Sequence, residues 1–249
     1  MKDVVAVILS GGRGKRMNSM QCKSLHKVAD RTILDWQLDA CQLAGIENII
    51  VVVGALSDDI RAHLARDGHA LNIHIAVQDE PRGTADAVKA AMDQIHELKA
   101  RYAVILNGDL PNLQAATRKK LMLKRAQKQI LCLTVKLDEP AAYGRILRNS
   151  DNTVSKIVEF KDCTPEQIRI REVNVGVYSV PTAFLDIALA QITNDNAAGE
   201  YYLTDIIEIA NAEGMPVHPV QAEEPGEVMG VNTQDELRSA EIWRHKLSL

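Results

Sequence analysis

The chain has no paired cysteines, no long apolar run, no marked excess of charge and no internal repeat. Its four cysteines, Cys22, Cys41, Cys132 and Cys163, lie far apart without a CxxC pair, which argues against a structural zinc site or a disulfide framework. No apolar stretch approaches the ~20 residues that a membrane-spanning helix needs. A formal net charge of −4 gives no footprint for a nucleic-acid partner. With a strand-like run beginning at residue 4, no signal peptide is expected, and with the scattered cysteines the expected setting is a reducing cytoplasm. What is present is ordinary for a globular protein. The 249 residues are 46% apolar and 25% charged, enough for a substantial core in one large domain or two small ones.

From residue 4 to 136, short β-rich runs alternate with amphipathic stretches. VVAVIL (4–9), IIVVV (49–53), NIHIAV (72–77), YAVIL (102–106) and ILCLTVK (130–136) read as strands by their length and branching. Thr32-Ile33-Leu34-Asp35 resembles a capping box and predicts a helix that ends at Ala44 before Gly45. A second helix is predicted from Asp58 to Arg66. A third starts at Thr84, where Val88, Ala91, Met92 and Ile95 recur at i, i+3, i+4 and i+7. The basic stretch 115–128 is predicted to be a surface helix. Continuous apolar strands separated by helices imply a mainly parallel sheet covered on both faces.

After Pro140 the rhythm changes. GRILR (144–148), VSKIVEF (154–160) and REVNVGVYSV (171–180) read as strands with little helix between them. Helices near 182–192 and 204–213, a short strand at Val217 and a last helix from Thr233 complete the pattern. The expectation is one α/β domain: a first half over 1–136, a smaller mixed-sheet lobe over 137–232 and a C-terminal helix over 233–249. The second half lacks a complete core of its own, which argues against two independent domains.

LSGGRGKRM (9–17) follows the first strand with three glycines and three cations, Arg13, Lys15 and Arg16, and Lys23 comes soon after. A Walker A loop, G-x-x-x-x-G-K-[ST], does not fit: taking Gly14-Lys15 as its GK pair leaves Leu9 at the first glycine and Arg16 at the metal-binding hydroxyl. The dinucleotide fingerprint fails too, because Met17 occupies the third glycine after Gly12-Arg13-Gly14. What survives is a set of glycine N–H groups and cations suited to phosphate, or else a surface turn with solvated charges. In LNGDLP (106–111), Asp109 sits just past a buried strand, where open α/β sheets place their ligand crevice. A carboxylate there suits a hard cation such as Mg²⁺, or it closes a turn. In QDEPRGTADAV (78–88), Gly83 permits close backbone approach and Thr84 is expected to cap the helix it opens. The Gln78 amide can read a base edge by donating and accepting at once.

Taken together, these strand-end loops resemble those of the sugar-nucleotide pyrophosphorylases, nucleotidyltransferases with a Rossmann-like fold of the glycosyltransferase-A type. The resemblance covers nearly the whole chain. It includes LSGGRGKRM, Lys23-Ser24-Leu25-His26, EPRGTADAV, NGDLP and LTVKLDEPAAYGRI (133–146), then IVEFKD (157–162), VNVGVY (173–178), NAAGEYYLTD (196–205) and GVN (230–232). Loops of the GRGKRM type mark the broad superfamily. YGRI together with GEYYLTD points to the branch that uridylylates N-acetylglucosamine 1-phosphate.

The resemblance implies an Mg²⁺-dependent condensation of UTP with N-acetylglucosamine 1-phosphate to UDP-N-acetylglucosamine and pyrophosphate. It implies that Leu9, Ser10, Gly11, Gly12, Asn107 and Gly108 contact the nucleotide, and that Gln78, Gly83 and Thr84 recognise uracil. Arg16 and Lys23 would hold the phosphates and, with Asp109, carry the catalysis, while Asp109 and Asn232 coordinate Mg²⁺. Gly144, Glu159, Asn174, Tyr202 and Thr204 would line the sugar pocket. On this reading 1–136 is the nucleotide-binding half and 137–232 the sugar-binding half, both serving small-molecule substrates with no nucleic acid and no membrane. The seven histidines are expected to be structural or at the surface.

This sequence also departs from the pattern. Cys22 stands where a proline is common before the lysine, and Gly11-Gly12 where the branch has Ala-Gly. Met229 stands where glutamate is frequent near the metal asparagine, and Asn112 follows Pro111 where leucine is frequent. None removes an implied ligand. Together they point to a drift in sugar choice. The alternatives to the implied reaction are a same-fold enzyme for another sugar 1-phosphate or another nucleotide such as CTP, and a sugar-nucleotide sensor without turnover. The hexapeptide repeats of the bifunctional branch do not occur in these residues, so its acetyltransferase activity and its β-helix trimer are not implied.

Overall fold

A computed structural model describes residues 3–12, 17, 21–55, 57–66, 71–123 and 128–247. In chain order the elements begin with β1 (Val4–Leu9), a short hairpin of β2 (Lys27–Val28) and β3 (Arg31–Thr32), α1 (Ile33–Ala44), β4 (Asn48–Gly54) and α2 (Asp58–Arg66). Next come β5 (Asn72–Gln78), α3 (Thr84–Lys89), α4 (Met92–Glu97), β6 (Tyr102–Asn107), α5 (Ala115–Leu123) and β7 (Ile130–Lys136). The second half supplies β8 (Arg145–Arg148), β9 (Val154–Val158), α6 (Pro165–Ile168) and β10 (Glu172–Pro181). It closes with α7 (Thr182–Gln191), α8 (Ile206–Ala212), β11 (Val217–Gln221) and α9 (Gln234–Leu247).

The apolar strands build a sheet in the order β11-β7-β10-β6-β1-β4-β5, with β8 and β9 attached beside β10. β1, β4, β5 and β6 run parallel, β10 runs antiparallel to β6 and β7, and β11 is parallel to β7. Successive residues of a strand face opposite ways, so an apolar run needs cover on both sides. Val5, Val7, Ile50 and Ile105 pack on one face with Val88 and Ile95 of α3 and α4 and Leu185 of α7. Val4, Ala6, Ile8, Ile49 and Val104 pack on the other with Leu34 and Leu38 of α1 and Leu121 of α5. The mainly parallel, helix-covered sheet expected from the sequence is therefore the observed architecture. Among the described residues, no helix is long and apolar enough to cross a membrane.

The capping box at the start of α1 forms as its spacing predicts. Thr32 Oγ1 accepts from Asp35 N at 3.0 Å, Asp35 Oδ2 accepts from Thr32 N at 3.2 Å, and Gly45 ends the helix at φ 84°.

Other expectations need correction. The helix expected from Thr84 onward is two helices, because the chain tightens through Ala90 and Ala91 (φ −93°, ψ −8° at Ala91). Val88, Ala91, Met92 and Ile95 nonetheless all face the core. Thr84 does not cap α3: Gly83 holds the N-cap position, and Thr84 Oγ1 accepts from Leu203 N at 3.0 Å. The basic helix is not a plain surface helix, since Arg118, Leu121 and Met122 are fully buried; residues 124–127 of that stretch lie outside the described residues. β9 stops at Val158, which leaves Glu159 beyond the strand, at the start of a 3₁₀ turn.

Topology then places the loops. In parallel strands all carboxyl ends meet at one edge. That edge carries Ser10–Gly12 after β1, Gln78 at the end of β5, and Gly108 and Asp109 after β6. Because β10 is antiparallel, its first half returns to the same edge. Val177 pairs with Leu106, and Asn107 Nδ2 donates to Val175 O at 3.4 Å.

Candidate active site

A cavity of 390 Å³ opens at this edge. Leu9–Gly12 form one wall, Asn107–Asp109 a second, Gln78 with Gly83 and Thr84 a third, and Lys23 with Ser24 a fourth. The first two walls touch backbone to backbone: Gly108 N donates to Leu9 O at 3.0 Å, and a Cβ on Gly108 would lie 3.0 Å from Leu9 C. Only glycine fits there. Gly83, at φ 133°, meets the backbone of Tyr201, where a Cβ would lie 2.6 Å from Tyr201 N. Tyr201 N donates to Arg82 O at 2.8 Å and Ala85 N to Tyr201 O at 3.0 Å, so this loop is stitched to the segment that brings Glu200 to the cavity. Glu200 and Ser24 were not singled out from the sequence. Ser24 sits beside Lys23, and Glu200 lies in GEYYLTD, yet neither carried a signal beyond that neighbourhood.

Gln78 behaves differently from expectation. Its Nε2 donates both to Gly83 O at 3.0 Å and to Asp86 Oδ2 at 2.9 Å. A carbonyl and a carboxylate can only accept, which fixes the amide orientation. The group left for a ligand is Oε1, turned toward Gly11, so Gln78 offers an acceptor rather than a donor and acceptor together. Arg82 holds Asp86 from the other side, Nη2 to Oδ1 at 2.9 Å.

Lys23 Nζ donates to Asp109 Oδ2 at 2.7 Å and to Asn232 Oδ1 at 3.1 Å. Two residues 123 positions apart are brought together because Val231 N donates to Asp109 O at 2.9 Å, tying the 230–232 segment to the loop after β6. Gly230 N also donates to Tyr143 Oη at 3.3 Å. The convergence tests the donor set directly: a carboxylate oxygen and an amide oxygen both close on one ammonium group, as they would on a hard divalent cation. The pair fits Mg²⁺ chemically. Among the described residues, no group of three or more His, Cys, Asp and Glu gathers for a metal, so such an ion would draw its remaining ligands from phosphate oxygens and water.

Arg13, Lys15 and Arg16 lie outside the described residues. Cys22, in place of the expected proline, has a structural use. Its Sγ donates to Ser10 O at 3.3 Å, and its N–H, which proline lacks, donates to Asp59 Oδ2 at 3.1 Å.

Beyond the cavity, the second half collects Gly144, Glu159, Asn174 and Thr204. Asn174 N donates to Gly144 O at 2.9 Å, a Cβ on Gly144 would lie 3.3 Å from Glu159 Oε2, and Thr204 Oγ1 donates to Glu159 Oε1 at 3.3 Å. Burial pushes the Glu159 carboxyl above its ordinary range, and repulsion from Asp162, Asp205 and Glu200 adds to this against the Thr204 hydrogen bond. Burial and the carboxylates of Asp162, Glu159, Glu200 and Asp205 raise the Tyr202 phenol to about 12, which keeps it a donor at neutral pH.

Tyr178, which the sequence reading passed over, proves to belong to this group. Asn174 Oδ1 accepts from Gly176 N at 3.0 Å and from Tyr178 Oη at 2.9 Å. A backbone N–H can only donate, so this atom is the oxygen, and Nδ2 is the Asn174 group left over for a ligand.

A family model described as "Nucleotidyl transferase" matches residues 5–226. The bifunctional protein GlmU of Trichlorobacter lovleyi is 40% identical over 247 residues, covering 98% of this chain and 53% of the relative. The bifunctional protein GlmU of Dechloromonas aromatica is 42% identical over 243 residues, with coverages of 98% and 52%. That of Burkholderia lata is 39% identical over 235 residues, with coverages of 94% and 51%. The chain thus spans about half the length of the curated relatives it matches.

Proposed function

The chain belongs to the nucleotidyl transferase family, and on that premise we propose that it condenses UTP with N-acetylglucosamine 1-phosphate into UDP-N-acetylglucosamine and pyrophosphate. The observation that carries this reading is the convergence of the Leu9–Gly12 loop, Lys23 and the Gln78 acceptor on one cavity, with the Glu159–Thr204–Asn174 group beyond it.

A sugar-1-phosphate oxygen attacks the α-phosphorus of the nucleotide in line. The new O–P bond forms as the bond to the β-phosphate oxygen breaks, and pyrophosphate leaves with the electron pair. The nucleophile is already an anion, so no serine, cysteine or histidine need activate it. The obstacle is bringing two polyanions together, and holding them in register can contribute roughly 7–11 kcal/mol. Lys23 supplies charge beside the phosphates, joined by Arg16. Asp109 and Asn232 would hold Mg²⁺, which when bound neutralises charge on the phosphate oxygens.

Base choice follows from Gln78. Uracil carries N3–H, which Oε1 accepts, whereas cytosine has a lone pair at N3 and leaves the acceptor unpaired. An unpaired buried acceptor costs about 1–3 kcal/mol, a preference for UTP over CTP of roughly 5- to 150-fold. On the sugar side Glu159 accepts from hydroxyl groups, and Asn174 Nδ2 and the Tyr202 phenol donate. Such a mixed set rejects sugars that leave its members unpaired.

A matrix of nucleoside triphosphates against sugar 1-phosphates, read by pyrophosphate release, tests the reading. The fastest pair should be UTP with N-acetylglucosamine 1-phosphate. A faster pair with CTP or with another hexose phosphate overturns the assignment of substrates. Binding of UDP-sugar without turnover for any pair would make the protein a sensor instead.

A further inference from the structure

Arg118 of α5 is fully buried, and among the described residues no carboxylate pairs with it. Its guanidinium donates to Gln37 Oε1 at 2.6 Å, to Cys41 Sγ at 3.0 Å and to Leu113 O at 3.4 Å, while Nε finds no partner. Burial holds the Cys41 thiol above its ordinary range despite the nearby guanidinium, so the thiol brings no compensating charge. A buried cation without a counter-charge is costly, and an apolar side chain of similar volume is commonly as stable or more so. Packing alone does not account for Arg118.

Gln37 shows where the interaction leads. It is also fully buried. A guanidinium only donates, so the Gln37 atom facing Arg118 must be oxygen, and Nε2 must be the group that faces Asn107. Nε2 donates to Asn107 O at 2.8 Å. Asn107 is the last residue of β6, and its carbonyl faces the β10 side, where Gly176 N, the donor that would continue the ladder, is taken by Asn174 Oδ1 at 3.0 Å. Gln37 therefore anchors the chain at the point where it leaves the sheet for Gly108 and Asp109.

We propose that Arg118 and Gln37 are positioning residues for the Asp109 loop. Arg118 fixes which end of the Gln37 amide faces the strand, and Gln37 Nε2 holds the Asn107 carbonyl so that Asp109 meets Lys23 and Asn232. The inference rests on the proposed function only in reading Asp109 as a group that acts on the nucleotide phosphates and their metal.

Two variants test it. Gln37→Glu keeps the shape and gives Arg118 a counter-charge that stays ionised beside the guanidinium, but it replaces the donor to Asn107 O with an acceptor. The double variant Gln37→Leu with Arg118→Met removes the buried charge and its partner together and keeps the interior apolar. Both should melt at or near the wild-type temperature. Both should lose about 10- to 100-fold in kcat, the size of loss that small misplacements near the chemistry produce, with the KM for sugar 1-phosphate unchanged. Both should also bind Mn²⁺·UTP about tenfold more weakly by calorimetry, a readout that needs no turnover. If the wild type turns over no substrate pair, the proposed reaction fails while the Mn²⁺·UTP comparison still decides this inference. Folded variants that match the wild type in Mn²⁺·UTP affinity, and in kcat where there is turnover, would show that the pair only fills the interior.

Discussion

Replacing Glu159 with glutamine separates what that carboxylate does for the site from what it costs the fold. Glu159 sits partly buried beyond β9, with Thr204 Oγ1 donating to Oε1 at 3.3 Å and Asp162, Asp205 and Glu200 nearby. Burial first, and these carboxylates second, hold its pKa above the ordinary value. The linkage sign follows. Below the unfolded carboxyl pKa, about 4.3, both states carry the proton and the residue costs nothing. As pH rises from there through the raised folded value, the unfolded chain ionises more readily than the folded one, and stability is lost. Above the folded value the loss is constant. Glu159→Gln keeps an oxygen for Thr204 and removes the charge, so its Tm should equal the wild type near pH 4 and exceed it near pH 7.5. At this chain length each ~1 kcal/mol gained raises Tm by roughly 2–4 °C. Function should move the other way. A hydrogen bond to a charged group contributes about 1.5–3 kcal/mol, so the KM for the sugar 1-phosphate should rise roughly 10- to 150-fold with the KM for UTP unmoved. Thermal melts across that pH range and two-substrate kinetics read both effects. A Tm difference that is the same at both pH values refutes the electrostatic reasoning. An unchanged sugar KM refutes the placement of Glu159 in the sugar pocket.

Asp109→Asn should lower kcat by about 10²–10³-fold or more, the scale seen when one charge-stabilising group is removed from a reacting phosphate or oxyanion. The Lys23–Asp109 pair is only 18% and 17% exposed, yet its loss leaves the ammonium with Asn232 Oδ1, so the fold should survive; near-normal turnover would sink the assignment of this loop to the phosphates. Tyr178→Phe removes one of two strong donors to Asn174 Oδ1 while Gly176 N–H still holds the amide. It should cost about 0.5–1.5 kcal/mol of stability, and the KM for the sugar phosphate should rise up to about tenfold with no change for UTP. Equal effects on both substrates would show that Tyr178 acts through the fold alone.

Much of the architecture could be read in advance because it rests on local rules. Val4–Leu9, Asn48–Gly54 and Tyr102–Asn107 are buried runs that only a doubly covered sheet accommodates, and the capping box at Thr32 needs only residues three apart. The three strand-end loops were legible for the same reason: parallel strands deliver their carboxyl ends to one edge. What escaped depends on partners far along the chain. Arg118 sits in a run of cations that looks solvated, but its acceptors Cys41 and Gln37 lie 77 and 81 positions earlier. Thr84 looks like a helix cap until Leu203, 119 positions later, takes its hydroxyl. The exhausted donor of Gln78 was closer to view, since Asp86 is eight residues away and opens the following helix. Tyr178 looked like one more core residue of a buried strand; the bulge in β10 between Asn174 and Tyr178 gives its hydroxyl an amide to orient.

The most direct measurement follows the product itself. The purified chain is incubated with UTP, N-acetylglucosamine 1-phosphate and Mg²⁺, and nucleotides are separated and weighed by mass spectrometry, with CTP in place of UTP as the comparison. The account predicts UDP-N-acetylglucosamine and pyrophosphate in equal amounts, a rate with CTP lower by at least about fivefold, and no product once the metal is chelated. No UDP-N-acetylglucosamine from a folded chain that binds UTP, or a CDP-sugar formed as fast, would contradict it.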